Sequence, residues 1–78
     1  MSHGKIEKLA RMANQIGDFY AVMPPEQGAE GVATHIRKFW TPKMIAEALG
    51  ALERGEIQLK ETTARGFAIL QRDDANAA

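Results

Sequence analysis

The sequence predicts an all-α protein, a small bundle of three helices with a weaker fourth at the C-terminus. Three observations carry this. Apolar residues recur every three to four positions in groups long enough for helices, and no strand-like alternation interrupts them. The three prolines, Pro24, Pro25 and Pro42, stand at the borders of these groups, where a helix tolerates them. Gly55 follows the third group, at the place where a residue of left-handed backbone closes a helix.

The first helix is expected from about Lys5 to about Val22. At ~100° per residue, Ile6, Leu9, Met12, Ala13, Ile16, Phe19, Tyr20 and Met23 fall on one side. Glu7, Arg11, Asn14 and Asp18 fall on the other, with Glu7 and Arg11 spaced for an i,i+4 pair. Gly17 weakens the helix and lies at the flank of the apolar stripe, where a close approach of a second helix would justify it. Met23-Pro24-Pro25 ends this helix, because a residue before proline is pushed out of the helical region.

The second helix starts near Pro25 or Glu26, and Gly28 and Gly31 weaken its first turns. Ala29, Val32, Ile36 and Phe39 form its apolar stripe, with His35 and Trp40 at the edges and Arg37 and Lys38 pointing away. Thr41-Pro42 reads as an N-cap and first helical residue, which starts a third helix ending near Arg54. Its inward face is Met44, Ile45, Ala48, Leu49 and Leu52. From Leu59 to about Arg72 a fourth helix would turn Leu59, Thr62, Thr63, Gly66, Phe67, Ile69 and Leu70 inward. Two threonines and a glycine make this a poor stripe, so the helix is expected to pack loosely or to be completed by another surface. The last residues, about 73–78, have nothing to bury and are expected to fray.

A chain of 78 residues makes one domain, 1–78, with marginal stability of its own. Without cysteine it has neither disulfides nor thiolate metal sites, and small domains without such staples often gain stability from a partner. Ten basic and ten acidic side chains cancel, which argues against a strongly basic nucleic-acid binder. No apolar run reaches the ~18 residues of a membrane span, and the N-terminus lacks a signal-peptide core. A soluble, cytoplasmic protein with no membrane partner is the expectation.

The candidates for chemistry are few. His3 lies in Met1-Ser2-His3-Gly4, which reads as terminal sequence, and His35 reads first as a packing or hydrogen-bonding side chain. There is no metal-ligand spacing, no phosphate-binding glycine turn, and no nucleophile beside a base. Catalytic, cofactor-binding and metal-ligating residues are therefore not assigned. The richest stretch is His35-Ile36-Arg37-Lys38-Phe39-Trp40-Thr41-Pro42-Lys43-Met44. Arg37, Lys38, Lys43 and Trp40 make a basic–aromatic corner there. Trp40 is either core or the anchor of a docking site, and the cations are either its charged rim or simply solvated. On the first helix, Arg11 and Asn14 are either a solvated face or a contact surface. The candidate interface residues are thus Arg11, Asn14, His35, Arg37, Trp40 and Lys43.

Arg11-Met12-Ala13-Asn14-Gln15-Ile16 with Phe19-Tyr20, and Gly31-Val32-Ala33 leading into the His35–Met44 stretch, resemble the delta subunit of NAD-dependent, molybdenum-containing formate dehydrogenases. The resemblance covers the first three helices; the family usually has aspartate where Thr41 stands and often arginine where Lys43 stands. Nothing after Gly55 clearly matches. The resemblance implies a non-catalytic accessory subunit that supports assembly, cofactor loading or stability of a cytoplasmic complex. It implies partner subunits: an alpha subunit with bis-molybdopterin guanine dinucleotide and iron–sulfur clusters, a beta subunit with flavin (FMN), and a gamma subunit with a further cluster. It implies no cofactor in this chain. A helical nucleic-acid-binding or regulatory module at the Arg37/Lys38/Lys43 corner is the alternative, and self-association through the fourth helix is a third possibility.

Overall fold

The computed structural model describes residues 3–76, which form four α-helices: α1 (His3–Tyr20), α2 (Pro25–Phe39), α3 (Pro42–Glu53) and α4 (Glu61–Asn76). The expectations for Met1, Ser2, the His3 side chain and the last residues of the tail lie outside what is described. The all-α class is as expected. Helix α1 stops two residues early, at Tyr20, and Val22 is left in the turn at 88% exposure. At the α1–α2 corner, Met23 N–H donates to the Tyr20 carbonyl (3.1 Å) and Gly28 N–H to the Pro24 carbonyl (2.9 Å). Thr41 caps α3 as expected: its backbone is extended and its hydroxyl accepts from Met44 N–H at 3.1 Å. Gly55, at φ 71°, closes the end of α3, and the Glu56 N–H reaches back to the Ala51 carbonyl at 2.9 Å.

The core is built from Leu9 and Ala13 of α1, Val32, Ala33 and Ile36 of α2, Trp40 just past the end of α2, Ala48 and Leu49 of α3, and Phe67 and Leu70 of α4. Helices α2 and α4 make the most extensive pairing, with α1 laid against both. The expected loose packing of α4 is therefore corrected. Thr63 and Phe67 have no exposed surface, and Phe67 is the largest of the fully buried side chains. The residues that made the stripe look poor are what let it in close. A Cβ on Gly66 would sit 2.5 Å from Val32 Cγ1, and one on Gly17 would sit 1.8 Å from Thr63 Oγ1. Small residues at both crossings bring the helix backbones within reach, and this gains the dispersion contacts of close packing. Helix α4 also runs past Arg72 to Asn76, and Asp73 forms an ion pair with Arg37.

Two apolar stripes were read too wide. Phe19 and Met23 were expected inside, yet Phe19 is 70% exposed and Met23 lies in the turn beyond the shortened helix, 40% exposed. Phe39 was expected inside and Trp40 at the edge; Phe39 is 69% exposed and Trp40 only 7%. Adjacent side chains on a helix diverge by ~100°, so Phe19-Tyr20 and Phe39-Trp40 cannot both turn fully inward. At Trp40 the backbone becomes extended (φ −97°, ψ 146°), which swings the indole under α2 and onto Phe67. The rings meet edge to face, centroids 6.3 Å apart.

Candidate functional site

The six candidate interface residues separate into three groups. Asn14 and Trp40 are occupied inside the fold. Asn14 was placed on an outward face of α1, but the segment joining α3 to α4 crosses that face. Its side-chain N–H donates to the Gln58 carbonyl (3.1 Å) and its carbonyl oxygen accepts from the Lys60 N–H (2.9 Å). An asparagine side chain thus pairs with two backbone groups of an irregular segment as a neighbouring strand would, satisfying polar groups that the connector cannot pair within itself. One turn further along, the Asp18 carboxylate holds the Lys60 ammonium at 3.1 Å. Ile57 is buried in the same segment, an apolar anchor that periodicity could not show because it stands alone between helices.

Arg37 points away from the apolar stripe as expected, and its exposed guanidinium is held by Asp73 across the α2–α4 pairing. Such an exposed pair contributes at most about 1 kcal/mol, so it orients the guanidinium more than it stabilises the fold. The expected Glu7–Arg11 pair is not among the ion pairs, and both side chains face solvent. Arg11 and Lys43 are exposed.

His35 belongs to an arrangement that sequence reasoning missed. Phe19, Tyr20, His35 and Phe39 form a continuous row across the outside of α1 and α2. Phe19 meets Tyr20 edge to face at 5.0 Å, Tyr20 meets His35 at 6.4 Å, and His35 lies tilted against Phe39 at 4.7 Å. The row depends on the glycines of α2. A Cβ on Gly31 would come within 2.4 Å of the Tyr20 ring, and one on Gly28 within 2.7 Å of the Tyr20 carbonyl. Their helix-weakening positions are where α2 must accept Tyr20. The available signal was the pair of adjacent aromatics at each end, with His35 four residues before Phe39 on the same side of α2.

Charge is unevenly distributed around this row. Six cations have carboxylate partners: Lys5 with Glu47, Arg37 and Arg72 with Asp73, Arg54 with Glu56, Lys60 with Asp18, and Arg65 with Glu61. Its hydrogen bond and charge interaction with Glu56 hold the Arg54 guanidinium above its usual pKa, so its charge is constant. Lys8, Arg11, Lys38 and Lys43 have none among the described residues. Of the five carboxylates outside these ion pairs among the described residues, Glu26 and Glu30 line the groove between α2 and α4, Glu53 and Asp74 line the one between α3 and α4, and Glu7 is exposed on α1. Four of the five thus lie on the α4 side. Lys38 and Lys43, in contrast, stand beside Phe39 in sequence, at the end of α2 and in the first turn of α3.

Among the described residues no cluster of three or more histidines or carboxylates is arranged to hold a metal ion, and no helix is long and apolar enough to cross a membrane. The family model described as NADH-dependent formate dehydrogenase delta subunit (FdsD) matches residues 8–66, which takes in most of α1 and all of α2 and α3 and reaches into α4, beyond the resemblance in the sequence motifs. No curated protein and no solved structure matches the chain.

Proposed function

Because the chain belongs to the NADH-dependent formate dehydrogenase delta subunit family, we propose that it is a non-catalytic accessory subunit that docks on the cofactor-bearing catalytic subunit and stabilises its cofactor-accepting or cofactor-loaded state. The single observation that carries this beyond the family is the exposed aromatic row. A domain of 78 residues leaves two phenylalanines about 70% exposed while its core is filled by others. Contiguous exposed apolar surface is characteristic of protein–protein contact. In this reading the molybdopterin, iron–sulfur and flavin groups reside on the other subunits; this chain has no cysteine to ligate a cluster. A protein that binds one conformer of its partner preferentially raises that conformer's population, by no more than the difference in its affinities for the two.

The test is to delete this chain and measure molybdenum content and formate-dependent NAD reduction in the remaining complex, then to restore it on a plasmid. The expected result is a loss of both, recovered on restoration. Full metal content and full activity without the chain would remove the assembly role.

A further inference from the structure

We infer that the aromatic row Phe19–Tyr20–His35–Phe39 is the docking surface, and that its occupant is an apolar, carboxylate-rimmed face of the catalytic subunit. This rests on the accessory-subunit reading and adds the contact surface to it.

The row has the properties of an interface anchor. Phe19 and Phe39, at its two ends, are 70% and 69% exposed, so neither is needed to fill the core. Tyr20 and His35 between them are half-buried and fixed by ring contacts at 6.4 and 4.7 Å, so the surface is formed before a partner arrives. A preformed aromatic surface loses little side-chain freedom on binding.

The charge pattern selects the occupant. Lys38 adjoins Phe39 and Lys43 follows in the first turn of α3, both without carboxylate partners among the described residues. Glu26 and Glu30, the acids of α2, line the groove against α4, on the opposite side of the helix from His35 and Phe39. A partner that covers the row gains by offering carboxylates near its Phe39 end. A second copy of this chain offers none beside its own row without breaking a pair: Asp18, next to Phe19, is held by Lys60, Glu7 lies about three turns before Phe19 on α1, and Glu26, Glu30, Glu53 and Asp74 line the α4 grooves.

The experiment uses the full chain, tagged, with the purified catalytic subunit, and measures the Kd by titration. Phe19→Ser/Phe39→Ser removes the exposed rings and Lys38→Glu/Lys43→Glu reverses the rim; circular dichroism checks that each retains the helical content of the parent. Loss of affinity by about tenfold or more in the ring variant, with a loss in the rim variant that shrinks as salt is raised, is the expected outcome. If the parent binds and both variants bind equally well, docking lies elsewhere and only this inference fails. If the parent does not bind the catalytic subunit, the accessory-subunit reading itself fails. A parent that sediments as a dimer, with the ring variant a monomer, assigns the row to a second copy and overturns the inference.

Discussion

Asn14 shows how much one side chain can decide in a small domain. It makes two side-chain hydrogen bonds to the backbone of the α3–α4 connector, and both its partners are backbone groups with no helix to serve them. Asn14→Ala therefore leaves a carbonyl and an N–H to find water in a half-covered place. Urea unfolding is expected to show a loss of about 1–3 kcal/mol, whereas Arg11→Ala, on the same helix but facing solvent, changes stability by less than about 0.5 kcal/mol. Gly17 makes the complementary point through absence. Its missing side chain is the space occupied by Thr63 Oγ1. Gly17→Ala overfills that contact and is expected to lower stability by about 1–3 kcal/mol, despite the better helix propensity of alanine. Adding Thr63→Ala to that background recovers part of the loss, a coupling that a double-mutant cycle reads directly. The Thr63 hydroxyl is buried with no hydrogen-bond partner in the structure, so removing it costs no bond.

At the scale of elements, the four helices could be read from periodicity, proline placement and caps, and the Thr41 cap and the Gly55 closure fall where those rules put them. Which side of each helix meets which neighbour could be read less well. Ala29, Val32 and Ile36 face inward as expected, but Phe19 and Phe39 do not, because periodicity gives the direction of a stripe and not its width. The face bearing Asn14 was misread for a different reason: a helical wheel contains no connectors, and the α3–α4 segment covers that face from 44 and 46 residues away. Likewise α4 looked weak because glycine and threonine are poor helix-stripe residues by themselves. Their value lies in the helix opposite, which a propensity scale cannot register. Phe67, at the centre of α4, tests this. Phe67→Ala removes a fully buried ring and its edge-to-face contact with Trp40. A loss of about 3–5 kcal/mol is expected, against a total of roughly 5 kcal/mol for a domain of this size. The variant should be largely unfolded in thermal melts, which a loosely attached helix would not produce.

For the molecule as a whole, the net charge of zero conceals a division. The α4 side carries grooves lined by carboxylates together with Arg37, Arg65 and Arg72, while four cations on the first three helices lack acidic partners among the described residues. Stability and association should therefore respond to salt differently. Asp73→Asn, which breaks the half-exposed pair with Arg37, is expected to change the unfolding free energy by less than about 1 kcal/mol, measurable by urea titration at low and high salt. The hydrogen bonds of Asn14 have one more consequence, concerning time rather than energy. Lys60 leaves the ribosome 46 residues after Asn14, an interval of roughly 2–9 seconds at about 5–20 residues per second. Throughout that delay the first helix is synthesised but has neither its connector nor the Thr63 and Phe67 layer to lean on. The nascent chain thus cannot complete its fold piece by piece, and any recognition that requires the finished bundle must await synthesis of α4.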